Sequence, residues 1–284
     1  MTIRELSHGI RSALTPRFGA GEAAAMERII FEDVMRLTPV EAVLRADSTV
    51  PPFIPEKIRA ILTRLQNGEP IQYVMEHARF CGLSLKVTPD VLIPRPETEQ
   101  MTDMVADFCG DRTDMRLLDC GTGSGCIAIS LARRLRFPAV TAIDVSAAAL
   151  AVARENAAAC GVSVDFRLAD MLDAGSMPAA QFDVIVSNPP YVMESERTLM
   201  EQHVLEHEPG LALFVPDGDP LRFYRAVIGY AASHLADDGA VFFEINPLLS
   251  DRFAALAAEA GFSEVEITAD LYGRQRFAVI TRRR

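Results

Sequence analysis

Residues Met115–Ala132 read MRLLDCGTGSGCIAISLA, and this stretch decides the class of fold. The apolar run up to Asp119 predicts a short buried strand, and the apolar run from Cys126 onward predicts a helix. Between them, glycine recurs at every second position, at Gly121, Gly123 and Gly125. Glycine lets a backbone turn sharply and lets a ligand approach without meeting a Cβ atom. A strand, a glycine loop and a helix in this order indicate an α/β protein with a ligand at the loop.

The glycine spacing indicates which kind of ligand the loop holds. It is G-x-G-x-G, whereas the dinucleotide-binding fingerprint is G-x-G-x-x-G. An amino-acid moiety fits beside this loop more readily than a pyrophosphate, so a nicotinamide oxidoreductase is disfavoured. We predict that the cofactor-binding loop consists of Asp119, Gly121, Thr122, Gly123, Ser124 and Gly125.

Acidic residues follow the next two predicted strands. The run Val140–Ile143 ends in Asp144, whose carboxylate can bind both hydroxyls of a ribose. The run Val162–Arg167 leads to Asp170 and Met171, a carboxylate and a thioether suited to an adenine amino group and ring face. An alternative for Asp144 is a cap for the helix that starts near Ser146. Because open α/β sheets bind ligands at the carboxyl ends of their strands, the shared order predicts a nucleoside pocket.

A proline-rich turn, Ser187–Tyr191 (SNPPY), follows the apolar run Phe182–Val186. The Asn188 side-chain oxygen and the Pro189 carbonyl can each accept one hydrogen of a planar NH2 group, while the Tyr191 ring packs on its face. Pro189 and Pro190 stiffen the turn and remove two N–H donors. The turn therefore predicts a site for a nucleophilic nitrogen. The alternative is an ordinary turn that ends a strand.

The rest of the chain predicts two domains. A helical pattern covers the first 72 residues or so, with segments at Arg4–Ile10, Glu22–Leu37, Pro39–Leu44 and Pro55–Leu65. Pro39 and Pro55 stand where first helical turns begin. We predict an N-terminal helical domain at residues 1–75 and a second domain at 76–284. Alternating apolar residues in 76–95 indicate a hairpin-like connector at its start.

Strand and helix patterns alternate through the second domain. Successive strands are marked by Leu117, Val140, Val164, Val184 and Val241, and a final pair by Glu264–Thr268 and Gln275–Ile280. Such an alternation predicts a parallel sheet covered by helices on both faces.

Composition limits the choice of partners. The 284 residues carry a net charge of −11, which argues against nucleic acid because its binding proteins usually present a basic patch. The 5 cysteines show no paired C-x-x-C spacing, so buried thiols in a reducing cytoplasm are expected. No leader and no run of membrane-spanning length is visible, and we expect a cytoplasmic protein with no membrane partner.

A histidine pair is the one pattern that suggests a metal. His203 and His207 stand four residues apart among glutamates, a spacing that places two ligands on one helix face. A solvated segment is the favoured interpretation, and we predict no metal site.

Several of these motifs together resemble a known family. The glycine loop, Asp144, Asp170 and the Asn188–Tyr191 turn resemble the S-adenosylmethionine-dependent amino-methyltransferases. From about Pro70 onward, the chain is similar to the peptide-chain-release-factor glutamine methyltransferases, the HemK/PrmC family. The motifs that carry this narrower likeness are Phe80–Gly82, Val91–Glu99 and His207–Pro209. The chain departs from the family pattern at Asn246, where glycine is more usual, and at Met171, where an aromatic residue is common.

The resemblance implies a fold, a cofactor and a substrate. The fold would be a Rossmann-like class I methyltransferase domain with seven strands, the last antiparallel, behind a helical domain that grips a protein. The cofactor would be S-adenosylmethionine. The acceptor would be the side-chain amide of a glutamine in a GGQ-type loop of class I release factors. Arg95, Glu97 and Thr98 would line the substrate pocket with Asn188–Tyr191, although a structured turn explains these three residues equally well.

Three other functions remain open from the sequence. A sister family that methylates a ribosomal-protein glutamine shares the Asn-Pro-Pro-Tyr turn. A DNA or RNA amino-methyltransferase would use the same turn on a base NH2 group, although the acidic charge speaks against it. A non-catalytic S-adenosylmethionine-binding regulator would keep the glycine loop and Asp144 but would not need Asn188–Tyr191.

Overall fold

The computed structural model describes residues 1–282 and divides into two compact units, Met1–Glu76 and the chain from His77 onward. The apolar core of the first unit is built from its own residues, and two further apolar clusters lie within the second unit. Among the described residues, no helix combines the length and apolar character needed to cross a membrane.

The first unit consists of helices, as the sequence predicts. They are α1 (Ile3–Ile30), α2 (Pro39–Leu44), α3 (Ile54–Gln66) and α4 (Ile71–Met75), with a π-helical turn at Phe31–Met35. Both α1 and α2 begin with a capping box, in which a threonine and a glutamate three residues later exchange hydrogen bonds. These caps satisfy N–H groups that the helix itself leaves unpaired.

Helix α1 contains two helical stretches separated by a break at Gly19, in agreement with the separate segments that the sequence predicts. Arg4–Ile10 and the start of Glu22–Leu37 both belong to α1, which is kinked at Gly19, where φ is 79°. Pro16 lies inside the helix and removes one backbone N–H donor, and glycine three residues later takes up the change in direction at low steric cost. The second segment is helical only as far as Met35, two residues short of the predicted Leu37, because Arg36 adopts the left-handed conformation with φ of 56°.

A hairpin opens the second unit. Strands β1 (His77–Phe80) and β2 (Leu83–Lys86) pair antiparallel, and both turn residues, Cys81 and Gly82, have positive φ. This is the geometry of a tight two-residue hairpin turn. The predicted connector is therefore a hairpin only as far as Lys86, and residues 87–95 form a loop that leads into helix α5 (Pro96–Cys109).

The central sheet confirms the predicted seven-stranded fold. The strands after the hairpin are β3 (Arg116–Cys120), β4 (Ala139–Asp144), β5 (Asp165–Leu168), β6 (Phe182–Ser187), β7 (Val192–Met193), β8 (Phe214–Val215), β9 (Leu235–Glu244), β10 (Glu264–Ala269) and β11 (Gln275–Thr281). Their order in the main sheet is β10-β11-β9-β6-β3-β4-β5, and β7 pairs with β8 apart from it. Strand β11 runs antiparallel to both neighbours, whereas β9, β6, β3, β4 and β5 are mutually parallel.

Helices cover the sheet on both faces. They are α5, α6 (Cys126–Arg134), α7 (Ala147–Cys160), α9 (Arg222–His234) and α10 (Ser250–Glu259), while the short helix α8 (Gln202–His207) lies between β7 and β8 in the chain. Neighbouring residues of β3 enter different cores, since Leu117 belongs to the cluster with α5 and α6 and Leu118 to the cluster with α9 and α10. Strands buried on both faces explain the continuous apolar runs of the sequence.

The parallel strands end at a common edge. Cys120 pairs in register with Ile143 and with Ser187, and Ser187 pairs with Phe243. The residues that follow each of these positions are therefore neighbours, although the sequence separates them widely. Such an edge is where open α/β sheets bind ligands.

Candidate active site

A cavity of about 470 Å³ lies at this edge of the sheet. Its size falls within the range of small-molecule and cofactor sites. Most of the residues predicted from the sequence line it: Arg95, Thr98, Gly121, Thr122, Gly123, Ser124, Asp144, Asp170, Met171, Asn188 and Pro190. The structure thus brings together the glycine loop, the acidic strand ends and the proline turn.

The glycine loop is held by the neighbouring strand. The N–H groups of Gly121 and Thr122 both donate to the Ile143 carbonyl at 2.9 Å. Gly121 has a φ of +79°, and a Cβ atom built on it would lie 3.0 Å from the Met171 Cε. Glycine therefore keeps open the cleft between the loop and Met171.

Gly125 has a different role from the other loop glycines. It does not line the cavity, and a Cβ atom on it would lie 2.8 Å from Ile129 Cδ1 and 3.1 Å from Ala153 Cβ. Its φ of +81° is also unfavourable for other residues. Gly125 thus permits α6 to start in close contact with α7.

Asp119 lies beneath the loop, fully buried. Its Oδ2 accepts a hydrogen bond from the Thr122 hydroxyl at 2.6 Å, and its Oδ1 has no hydrogen-bond partner among residues 1–282. Burial raises the pKa of this carboxyl to about 7, and the Thr122 hydrogen bond opposes the shift. Asp119 does not line the cavity, whereas its partner Thr122 does.

Asp144 lines the cavity, and the N-cap of α7 is Ser146 instead. Its Oδ2 accepts from the Gly123 N–H and its Oδ1 from the Ser146 N–H, each at 2.9 Å. Ser146 is itself the N-cap of α7, because its hydroxyl accepts from the Ala149 N–H. Burial raises the pKa of Asp144 although backbone N–H groups oppose the rise. These hydrogen bonds therefore hold the Asp144 carboxylate in place in the wall of the cavity.

The segment after β5 is an ordered turn. The Asp170 Oδ1 accepts from the Leu172 N–H at 2.9 Å, and the Ser176 hydroxyl bonds both the N–H and the carbonyl of Asp170. Asp170 and Met171 line the cavity together. The turn thus presents a carboxylate and a thioether to the same space.

The proline turn is anchored in the sheet and in α5. The Asn188 Nδ2 donates to the Thr98 Oγ1 at 3.1 Å, and the Tyr191 hydroxyl donates to the Glu244 Oε1 at 2.8 Å. Pro189 is buried, and neither Pro189 nor Tyr191 is part of the cavity lining. The Tyr191 hydroxyl thus points to Glu244.

The three residues before and within the first turn of α5 differ in placement. Arg95 lines the cavity and forms an ion pair at 2.5 Å with Glu208, whose side chain is completely buried. Thr98 also lines the cavity, and its hydroxyl donates to the Glu244 Oε2 at 2.7 Å. Glu97 is half-buried and lies outside the lining.

Glu244 and Asn246 are buried beside the proline turn, and the sequence does not predict a role for either. Glu244 follows an apolar strand in the same way as Asp144, so the pattern was present in the sequence. Asn246 stands where the family pattern has glycine, so the resemblance implies no role for its side chain. Its Nδ2 donates to the Tyr191 carbonyl at 3.1 Å and to the Glu196 Oε2 at 2.8 Å, which ties the proline turn to its surroundings.

The histidine pair lies on the short helix α8. The His203 Nδ1 is 3.2 Å from the Glu201 Oε2, and the His207 Nε2 is buried without a hydrogen-bond partner among the described residues. Within residues 1–282, no group of three or more His, Cys, Asp or Glu side chains is placed to hold a metal ion.

Comparison with solved structures supports the fold. A ribosomal protein L11 methylase from Lactobacillus delbrueckii subsp. bulgaricus matches with a TM-score of 0.51 and 22% identity, over 70% of this chain and 86% of that one. A 16S rRNA methyltransferase from Thermus thermophilus, solved with AdoMet and guanosine, matches with a TM-score of 0.53 and 19% identity, over 73% and 50%. At this level of identity the likeness concerns the fold alone.

Sequence comparison is more specific. The family described as "PrmC N-terminal domain" matches residues 7–75, and the family described as "Methyltransferase small domain" matches residues 97–211. A release factor glutamine methyltransferase from Bacteroides thetaiotaomicron is 39% identical over 96% of this chain and 98% of its own length. One from Flavobacterium psychrophilum is 37% identical over 97% and 98%. These near full-length matches confirm the likeness inferred from the motifs: the chain belongs to the release factor glutamine methyltransferase family, whose members use S-adenosylmethionine as cofactor.

Proposed function

We propose that this protein methylates the side-chain amide nitrogen of a glutamine in a class I peptide chain release factor. The observation that carries the proposal is the placement of Asn188 at the cavity edge with its NH2 group already bonded to Thr98. An amide oxygen is then left for the hydrogens of an incoming amide. In the overall reaction one amide hydrogen is replaced by a methyl group, with S-adenosylhomocysteine and a proton as the other products.

The residues of the cavity fit S-adenosylmethionine. Asp144 is a carboxylate suited to the two ribose hydroxyls, and Asp170 and Met171 suit the adenine amino group and ring. Because residue 121 is glycine, the space beside the Met171 side chain stays open; a Cβ atom would fill it. When bound, the cofactor supplies an electrophilic methyl group. We propose that the glycine loop, with Thr122 and Ser124, holds its amino-acid part.

The residues of the proline turn would activate the glutamine amide nitrogen, which is a poor nucleophile. The lone pair of an amide nitrogen is delocalised into the carbonyl group. Hydrogen bonds from the amide hydrogens to the Asn188 Oδ1 and the Pro189 carbonyl would fix the plane of the amide and increase electron density on nitrogen. Alignment of reacting groups contributes ~7–11 kcal/mol in well-oriented systems. Fixed acceptors near the positive charge that develops on nitrogen add to this effect.

The first unit is the part of the chain proposed to grip the protein substrate. Its match to the PrmC N-terminal domain over residues 7–75 supports this role. A release factor as partner also places the enzyme in the cytoplasm. The 5 cysteines, all unpaired, suit a reducing compartment.

The decisive experiment is transfer of labelled methyl from S-adenosylmethionine to three purified acceptors in parallel: a class I release factor, ribosomal protein and DNA. The release factor is used with its loop glutamine intact and replaced. Label on the intact release factor alone is the expected result. Label on ribosomal protein would move the enzyme to the sister activity, and label on DNA would mean that the turn binds a base.

Substitution of Asn188 tests the acceptor site. Asn188→Ala removes one of the two acceptors, and we expect turnover of the release factor to fall by roughly 10²-fold or more. Affinity for S-adenosylmethionine, measured by calorimetry, should change little. Asn67→Ala is a matched control because Asn67 is exposed in the first unit. Near wild-type turnover in Asn188→Ala would show that this residue does not receive the substrate.

A further inference from the structure

A buried chain of hydrogen bonds leads from the sheet to the cavity. The Thr98 hydroxyl donates to the Glu244 Oε2 at 2.7 Å, and the Asn188 Nδ2 donates to the Thr98 Oγ1 at 3.1 Å. Glu244 is 2% exposed and Thr98 is 3% exposed. Water therefore has little access to the inner part of this chain, and its polar atoms depend on each other.

Each donor in this series of hydrogen bonds points toward Glu244, because the carboxylate at the inner end can only accept. An ionised carboxylate accepts hydrogen bonds and donates none. Both oxygens of Glu244 are used, Oε2 by Thr98 and Oε1 by the Tyr191 hydroxyl at 2.8 Å. The one hydroxyl hydrogen of Thr98 is thus committed to Glu244. Toward Asn188, the Thr98 oxygen offers only lone pairs.

The direction at Thr98 decides the orientation of Asn188. Only the NH2 group of the Asn188 amide can bond a lone pair, so the amide oxygen must face the other way. That oxygen accepts no hydrogen bond from any residue in 1–282, and Asn188 lines the cavity. The group that Asn188 offers to a substrate is therefore its side-chain oxygen, which accepts hydrogen bonds.

We propose that Glu244 and Thr98 are positioning residues, which hold the Asn188 oxygen toward the substrate and so select an NH2 donor as the group to be methylated. This inference rests on the proposed function, because it concerns how the same site recognises an amide. The two ends of an asparagine amide are similar in size, so packing alone distinguishes them poorly. A flipped Asn188 would present NH2 to NH2 and lose the hydrogen bond to the substrate.

A second series of hydrogen bonds, through Tyr191, reaches the Glu244 carboxylate. The Arg276 Nη1 donates to the Tyr191 Oη at 3.3 Å, so that Tyr191 accepts from Arg276 and donates to Glu244. Arg276 also lies 3.7 Å from the Asp270 carboxylate. Burial raises the pKa of Glu244, and the Thr98 hydroxyl, the Tyr191 hydroxyl and the Arg276 guanidinium oppose the rise. This explains why an acidic residue can be kept beneath the proline turn.

The test replaces the central member of the chain. Thr98→Val keeps the shape and removes the hydroxyl, whereas Thr98→Ser keeps the hydroxyl. We expect kcat for the release factor to fall between about 10- and 100-fold in the valine variant, as for other misplaced groups. Affinity for S-adenosylmethionine should be unchanged, and serine should restore most of the rate. Thr102→Val is the matched control, since Thr102 is equally buried in α5 and donates only to the Thr98 carbonyl.

A double-mutant cycle separates positioning from other roles. If Thr98 acts through Asn188, the variant with both Thr98→Val and Asn188→Ala should be no slower than Asn188→Ala alone. Multiplying losses, or equal losses in the valine and serine variants, would overturn the proposal. If valine prevents folding, Thr98→Cys offers a weaker hydrogen-bond group of similar size and should give an intermediate rate. If the wild type methylates ribosomal protein or DNA instead, the proposed substrate fails, and the same cycle on that acceptor still decides the role of Thr98.

Discussion

Asp119 is a carboxyl group that the fold keeps away from water. It is 1% exposed, and of its two oxygens only Oδ2 has a hydrogen-bond donor among the described residues. An ionised carboxylate in such a place loses more hydration than one hydroxyl can replace. For this reason its pKa rises from the usual value of 3.8 to about 7. The cost of ionisation should be visible in the stability of the protein.

The pH dependence of stability gives a prediction for Asp119→Asn. Between pH values near 3.8 and about 7, the folded protein keeps a proton that the unfolded chain has lost. Stability from this group therefore falls as pH rises through that window, by at most ~1.4 kcal/mol per pH unit, and is constant above it. Asparagine carries no such charge. We expect the stability of the variant relative to wild type to increase from about pH 5 to about pH 7.5.

Urea unfolding of both proteins at the two pH values measures this difference. Asp107→Asn, on an exposed position of α5, is the control and should retain the wild-type profile. A constant difference between wild type and Asp119→Asn across the window would mean that Asp119 is ionised throughout.

Residues close to their own strand ends could be predicted from the sequence, whereas their distant partners could not. Asp144, Asp170 and Asn188 each follow an apolar run, and parallel strands bring such positions to one edge. The bond between Thr98 and Glu244 joins residues 146 positions apart. It depends on which strands are neighbours and how helix α5 lies on them, and no local pattern contains that information.

At the scale of elements, the start of α6 depends on close contact with α7. Gly125→Ala would combine a strained backbone with a methyl group 2.8 Å from Ile129 Cδ1. Overpacking of this kind costs ~1–3 kcal/mol. We expect urea unfolding to show a loss in that range and a weaker affinity for S-adenosylmethionine, because the displaced helix carries the end of the glycine loop.

A second glycine provides a control of opposite sign. Gly229 lies inside α9, where a Cβ atom would meet nothing within 4 Å. Gly229→Ala should stabilise the protein by roughly 0.5–1 kcal/mol, because alanine is the better helix former. Equal effects at the two positions would mean that the contact with Ile129 does not decide the conformation of the loop.

Helix boundaries show where local patterns reach their limit. The capping threonines Thr2 and Thr38 mark the observed starts of α1 and α2. Pro16 is accommodated inside α1, whereas Gly19 interrupts the helix with a φ of 79° that glycine adopts readily. Leu14 and Ala23, on either side of this break, are buried in one core, and that packing stabilises both helical stretches.

At the scale of the whole molecule, the two units keep separate apolar cores. Leu14 is fully buried in the cluster of the first unit, and Leu117 is fully buried in a cluster of the second. The residues of the cavity all belong to the second unit. Cofactor binding and the grip on a large substrate should therefore respond to different substitutions.

Leu14→Ala tests this division of roles. A cavity left by leucine in a core costs ~2–5 kcal/mol, so the first unit should unfold at lower urea concentration. We expect unchanged affinity for S-adenosylmethionine by calorimetry and unchanged methylation of a short glutamine peptide, with a raised KM for the intact release factor. Leu117→Ala, the matched substitution in β3, should weaken cofactor binding and both methylations. Equal losses on peptide and release factor in Leu14→Ala would show that the first unit supports the catalytic unit and does not select the protein substrate.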